Sequence, residues 1–317
     1  MVRFSARCYG PQPMEERTFD GVDQPLAGYV WRPSGSPKAA LQIAHGMAEH
    51  AKRYDHVARA FTDAGYLVFA HDHRGHGGSI QTTPGDMGSD DTWNKAVREL
   101  HLVNRAMADE TELPIAMLAH SMGSFMAQQL LWQFPEDVFA MALSGSNGKP
   151  PAIAAAGRVV TRIERLRLGG HRPSALLQKL SFGDFNKGFE GRTEFDWLSR
   201  DPAEVDAYVG DPLCGFALSV QSWLDMLDAL GALTAPANVS RILVDLPIYA
   251  FAGDRDPVSA GGEGVTRLVE TYRAAGLTNV EIRLYPGGRH ETLNETNRDE
   301  VIADLLRWVE ASFSARA

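Results

Sequence analysis

Three side chains far apart in the chain have the types that nucleophilic catalysis needs: Ser121 in AHSMG, Asp256 in GDRDP and His290 in GGRHE. A serine hydroxyl is a weak nucleophile at its ordinary pKa. It needs a base to take its proton, and the base needs an acid to orient it. Ser121 lies between an apolar run and a helix-like stretch, in LPIAMLAHSMGSFMAQQLLWQF, residues 113 to 134. That is the setting of a nucleophile on a sharp turn, for which Gly-x-Ser-x-Gly is the strongest local pattern. Gly123 supplies the second glycine, whereas Ala119 stands in place of the first. Alone, the segment reads equally well as an inert serine in a small-residue loop. Asp256 and His290 change the balance. Each follows an apolar, strand-like run, LPIYAFAG and VEIRLYPGG, and the order serine, aspartate, histidine suits a sheet that presents all three on post-strand loops.

Rivals exist for two of these roles. Asp254 is nearer the strand end than Asp256; Asp256 is preferred because its spacing from Gly253 gives the turn room to aim it at a histidine. His120 adjoins the serine, but a neighbour in the same tight turn points elsewhere. His45, in IAHGMAEH, better fits the oxyanion side, and structural roles are expected for both histidines. Acyl transfer also needs two donors aimed at the developing oxyanion. The backbone N–H of Met122, next after the nucleophile, is one candidate, and that of Met47, in the HGM loop after an early strand, is the other. HDHRGHGGS, residues 71 to 79, looks metal-like, yet its spacing matches no zinc pattern. Asp72 and Arg74 there are expected to bond neighbouring loops, and the glycines lack the Lys-Ser/Thr ending of a phosphate loop. No metal or organic cofactor is expected.

The elements that must position these residues follow a rhythm. LAGYVWRP, KAALQIAHG, YLVFA, PIAMLA, VFAMALSGS, LPIYAFAG and VEIRLY read as strands. Between them lie helix-like segments such as AKRYDHVARAFTDAG and SFMAQQLLWQF. Trp93, Val97, Leu100, Val103 and Met107 fall on one helical stripe, for which Asp90 or Asp91 could be the cap; Val301, Leu305 and Trp308 share a face of the last helix. Continuous apolar strands alternating with amphipathic helices describe a largely parallel α/β sheet covered on both faces. The rhythm breaks after Asn147. From Gly148 to about Pro236 there is no clear strand alternation, only helices near RVVTRIERLRL and FALSVQSWLDMLDAL. Between them Gly, Asp and aromatic residues predominate. This insertion could cap the sheet, with Phe182, Phe185, Phe216 and Trp223 lining a cavity or forming a small core of their own.

The 317 residues suffice for one large domain, or one domain with an insertion. A formal net charge of −9 disfavours nucleic-acid binding. The first residues, MVRFSARCYGPQPMEERTFDG, lack the apolar core of a signal peptide, and no apolar run reaches membrane-spanning length; a cytoplasmic location is the default expectation. Cys8 and Cys214 give no disulfide framework or zinc knuckle and read as incidental. Oligomeric state is left open.

HGMAEHAKRY, HDHRGHGGS, AHSMGS, GDRDPVS and YPGGRHETLNE together resemble the motifs of the serine aminopeptidase-like, monoacylglycerol lipase and lysophospholipase group of α/β-hydrolases, over about residues 25 to 314. The resemblance implies an α/β-hydrolase core over 25–147 and 236–314, with residues 148–235 inserted as a cap that governs substrate choice. It implies Ser121 as nucleophile, Asp256 as acid, His290 as base, and Met47 and Met122 as oxyanion donors. A carboxylic-ester hydrolase for a single-acyl lipid or small ester is the expected activity, with peripheral membrane contact possible through the cap. An amidase or aminopeptidase with the same triad, and a non-catalytic binding protein on the same fold, are the rivals. Ala119 is the visible departure from the group's pattern.

Overall fold

The strands form wherever short runs of small, branched and aromatic residues can be covered on both faces. The structure, a computed structural model, describes residues 13–148 and 153–316, so Cys8 lies outside the described residues. The strands are β1 (Glu15–Asp20), β2 (Pro25–Trp31), β3 (Ala39–Ala44), β4 (Tyr66–His71), β5 (Ile115–His120), β6 (Ala140–Ser144), β7 (Ile248–Gly253) and β8 (Val280–Tyr285). They make one sheet in the order β1-β2-β4-β3-β5-β6-β7-β8. β1 and β2 run antiparallel to their neighbours, and the rest are parallel. Every residue of β3, β4, β5, β6 and β7 is buried, as continuous apolar runs demand. β1 has no counterpart in the sequence reading. Its residues EERTFD are mostly solvated at the sheet edge, so no apolar run announces it.

Helices α1 (Asp55–Asp63), α2 (Thr92–Thr111) and α3 (Met122–Gln133) fill the crossovers. Five more come between β6 and β7: α4 (Ile153–Leu168), α5 (Ala175–Phe182), α6 (Pro202–Gly210), α7 (Val220–Leu230) and α8 (Pro236–Val239). α9 (Glu263–Ala274) and α10 (Arg298–Ser314) complete the chain. The fold is therefore an α/β-hydrolase sheet with an inserted helical region. Alternate strand residues feed two cores. Met117, Met141 and Ile248 pack with α2, α3 and α9 on one face, while Leu118, Ala142 and Phe251 pack with α10 on the other. The stripes on α2 and α10 are buried as expected. α6 lies in the stretch where Gly, Asp and aromatic residues predominate. Its signal is local: Asp201 accepts from Ala203 N, and Pro202 opens the helix.

The cap of α2 corrects an expectation. Asp91 occupies the N-cap position, but in a left-handed conformation (φ 49°) with no capping side-chain bond. The capping carboxylate is Asp225 of α7, which accepts from Thr92 N at 2.7 Å and from Thr92 Oγ1 at 2.8 Å. A core helix is thus capped by the inserted region, a pairing no local pattern could show. Ser222 of α7 adds to the junction, accepting from Met87 N at 3.1 Å. Among the described residues no helix is long and apolar enough to cross a membrane. Asp225→Ala is expected to lower unfolding free energy by about 1 kcal/mol, read as a lower urea midpoint; an unchanged midpoint would contradict the cap.

Candidate active site

The strand order reverses around β3: β4 lies on one side of it and β5 on the other. Open α/β sheets bind ligands in the crevice at such a reversal, beyond the carboxyl ends of the strands. The loop after β3 carries Met47 and the turn after β5 carries Ser121, so these neighbouring strands bring the two segments together. Ser121 sits at φ 50°, ψ −119°, a conformation that costs a non-glycine residue roughly 1–3 kcal/mol. The turn is bolted in place. Ser121 N donates to Ser144 O of β6 at 2.9 Å, and the Ser121 carbonyl accepts from Ser124 N, Phe125 N and Ser124 Oγ. A Cβ at Gly123 would collide with the carbonyl oxygens of Ala44 and His45, so this glycine is required for α3 to start so close to β3. Ala119 faces no such demand. It is a fully buried strand residue paired with Leu143 and is not in a left-handed conformation, so alanine serves where the general pattern has glycine.

Asp256 and His290 meet. His290 Nδ1 donates to Asp256 Oδ1 at 2.9 Å, and Val258 N donates to the same oxygen at 2.8 Å. Their loops touch backbone to backbone: Arg255 N donates to Gly288 O at 3.0 Å, and any Cβ on Gly253 would strike Gly288. Asp254 is placed elsewhere, accepting from Gly287 N at 2.7 Å on the exposed side. Burial alone would push the Asp256 carboxyl up, but His290 and the two hydrogen bonds hold it below its ordinary range. Burial would likewise push the His290 imidazole down; the Asp256 carboxylate outweighs this and holds it above its ordinary value, with Glu291 and Glu49 adding to the effect. Ser121 and His290 line the same cavity without a hydrogen bond between them in this structure, and such bonds often tighten only with substrate bound. Gly145, at φ 56°, leaves room for the ring, since its Cβ would come within 2.9 Å of His290 Cε1.

The rival histidines are committed to structure. His45 is fully buried; its Nδ1 donates to Gly46 O at 2.8 Å and its Nε2 accepts from His73 N at 2.9 Å. The His120 Nδ1 pairs with Ser144 Oγ at 3.1 Å, and burial pushes its imidazole down to about 4. In HDHRGHGGS, His73 Nε2 donates to His45 O and His76 Nδ1 to Arg74 O. Asp72 accepts from Tyr29 Oη, Ala51 N and Gly78 N, and Arg74 binds Glu99, Asp23 and Met87 O. These residues tie loops together, as expected.

Met47 and Met122 both line the cavity beside Ser121. Met122 opens α3, so its N–H has no partner within the helix, and Met47 N has none among the described residues. Sequence reasoning passed over the network that holds this side. Glu49 Oε1 accepts from Gly46 N at 2.5 Å, while Arg53 bridges Glu49 at 2.6 Å and, through both nitrogens, Glu291 at 2.7 Å. The loop of Met47 is thereby coupled to the residue after His290. Both glutamates stood in quoted motifs, but nothing local shows that they share one arginine.

The cavity holds about 680 Å³ and is mostly apolar. Phe182, Phe185, Phe216 and Trp223 all line it, and Phe182 and Phe185 also pack on Trp197 in a small core, so both expected roles are realised. The inserted region pairs directly with the histidine loop: His290 N donates to Trp197 O at 3.3 Å and Glu291 N to Leu198 O at 2.8 Å.

This geometry has relatives. The family described as serine aminopeptidase, S33, matches residues 35–297. The chain belongs to that family. It is 31% identical over 306 residues to a monoacylglycerol lipase of Mycolicibacterium smegmatis, covering 93% of this chain and 96% of the relative. It is 29% identical over 285 residues to human monoglyceride lipase, covering 88% and 84%. A thermostable carboxyl esterase from Bacillus coagulans, solved in complex with glycerol, superposes with a TM-score of 0.88 at 26% identity, covering 95% of this chain and 99% of that one. The serine-hydrolase character of the α/β-hydrolase superfamily thus attaches to this S33 member.

An imidazole held up by a buried carboxylate makes a definite pH prediction. A base must be neutral to act, so turnover should fall on the acid side around a pKa above the ordinary imidazole value. Asp256→Asn should move that limb to lower pH and cut kcat on the order of 10⁴-fold. Asp254→Asn should leave limb and rate near native. Loss of turnover in the Asp254 variant alone would reverse the assignment.

Proposed function

We propose that the protein is a carboxylic-ester hydrolase for single-acyl lipids, of the monoacylglycerol lipase or lysophospholipase kind. Ser121 is the nucleophile, His290 the base and Asp256 its orienting acid. As Ser121 Oγ attacks the ester carbonyl, His290 Nε2 takes its proton and Asp256 stabilises the imidazolium. The backbone N–H groups of Met47 and Met122 receive the oxyanion; each such donor typically contributes ~3 kcal/mol of transition-state stabilisation. His290 protonates the departing alcohol, then activates water to release the acyl group from Ser121. No metal or organic cofactor enters these steps.

The observation that carries the ester reading is the cavity. It is large, apolar and shaped by Phe182, Phe216, Trp223 and Met226, walls that suit an acyl chain. An aminopeptidase would need unpaired carboxylates to hold a substrate ammonium. Here Glu49 and Glu291 are both ion-paired with Arg53, and Asp184 pairs with Lys187 at 2.7 Å. The names of the lipase relatives support the same reading.

The outer face of the inserted region fits a lipid surface. Val159, Ile163 and Leu166 on α4 are exposed, Leu166 by 91%, with Arg162 and Arg165 beside them. Apolar side chains flanked by cations suit shallow contact with an anionic lipid interface.

A panel of monoacylglycerols, lysophospholipids, p-nitrophenyl esters and aminoacyl amides tests the reading. Glyceryl and lysophospholipid esters should be cleaved and aminoacyl amides should not; Ser121→Ala should abolish turnover while remaining folded. Preference for aminoacyl amides would favour the aminopeptidase, and a fully active Ser121→Ala would remove the mechanism.

A further inference from the structure

His50, Asp211 and Cys214 converge where the inserted region crosses the loop after β3. Their ligand atoms all lie within 4.8 Å of one another. Asp211 and Cys214 come from one turn, closed by Cys214 N donating to Asp211 O at 3.0 Å, so carboxylate and thiol are presented together. His50 comes from the other side of the seam, its side chain about nine-tenths buried, with Nε2 2.9 Å from Asp211 Oδ2. We propose that these three side chains form a binding site for a thiophilic divalent cation, of which Zn²⁺ is the type, clamping the inserted region to the loop that carries Met47.

The donor set is imidazole, carboxylate and thiolate, which together suit a tetrahedral ion with a fourth position open to water. The separations require only that the side chains draw in by an ångström or so to reach normal Zn–N, Zn–O and Zn–S lengths of about 2.0–2.3 Å. His50 Nδ1 has no partner among the described residues, so the ring can carry its proton there once Nε2 becomes a ligand. The surroundings favour a cation: Glu49 and Glu291 share a single guanidinium, Arg53, and Asp211 adds a third carboxylate beside His50. To ligate as a thiolate, Cys214 gives up its S–H proton. Binding forms the metal–sulfur bond and releases that one proton to solvent, which makes affinity rise with pH.

The seam matters because it bears on Ala48, next to Met47. The Ala48 carbonyl accepts from Gly215 N at 2.9 Å, one residue past Cys214, and from Tyr208 Oη at 3.0 Å. Ala48 itself sits at φ 56°. An ion joining His50 to the Asp211–Cys214 turn closes a ring that contains this residue, completed by the Gly215 N to Ala48 O hydrogen bond, and so alters the freedom of the Met47 N–H. The effect on turnover rests on the oxyanion role proposed above; the binding does not.

Co²⁺ is the probe for the site, since a thiolate ligand gives it a near-ultraviolet charge-transfer band. Reduced protein carrying Cys8→Ser, which leaves Cys214 the sole thiol of the two, should develop this band with one equivalent of Co²⁺ and lose it when Zn²⁺ is added. Asp211→Asn and His50→Asn should each weaken binding about tenfold or more, and Cys214→Ser should abolish the band. Zn²⁺ should raise the Tm of the native chain and not of Cys214→Ser. No band at excess Co²⁺, or an equal band in Cys214→Ser, overturns the site. Ester turnover read in parallel separates the two claims. A Zn²⁺ effect present in the native chain and absent in Cys214→Ser supports the coupling to Met47. A band with unchanged turnover retains the site and removes the coupling. Inhibition that persists in Cys214→Ser also removes it, and places that effect elsewhere.

Discussion

A carboxylate without water is the constraint on which the rest of the structure depends. Asp256 is completely buried, and an ionised group in such a place is tolerated only when paired and hydrogen-bonded. Its partners are the His290 imidazole and Val258 N. Bringing them together requires the loops after β7 and β8 to touch through their backbones, which is why Gly253 can carry no side chain. It also requires Gly145 to leave space where the ring passes. The imidazole that results is oriented, held above its ordinary pKa, and turned toward the cavity that Ser121 lines.

The Ser121 side obeys a matching constraint. Ser121 is strained, and the strain persists because β6, α3 and β3 close around it: the Ser144 carbonyl takes its N–H, and Gly123 lets α3 begin against Ala44. The inserted region then joins the two halves. It donates the cap of α2 through Asp225, presents Trp197 and Leu198 carbonyls to the histidine loop, and meets the Met47 loop at Ala48. Its position is therefore tied to the reacting groups by hydrogen bonds and by the apolar cavity it roofs.

Much of this was legible in the residues. Continuous apolar runs such as AALQIA and IAMLAH foretold a covered parallel sheet, and Ser121, Asp256 and His290 were recognisable because each follows such a run. Asp256 could be chosen over Asp254 from the spacing to Gly253, and the structure bonds it to His290. What escaped notice depends on distance along the chain. β1 is polar apart from Phe19 and pairs with β2 at the sheet edge. The cap of α2 comes from Asp225, 133 residues away from Thr92. Arg53, paired with Glu49, reaches Glu291 across 238 positions, and the cluster of His50 with Asp211 spans 161. A side chain's type is written locally, but its partner is set by the fold.

The central claim is that Ser121 carries the acyl group between two half-reactions. Rapid quenching during turnover of an ester with a fast leaving group, followed by intact mass measurement and peptide mapping, observes that state directly. The account predicts one acyl group per chain, formed in step with the initial burst of alcohol and located on Ser121. An acyl group mapped to any other residue, or steady hydrolysis that never passes through a covalent species and survives a serine-directed fluorophosphonate, would contradict it.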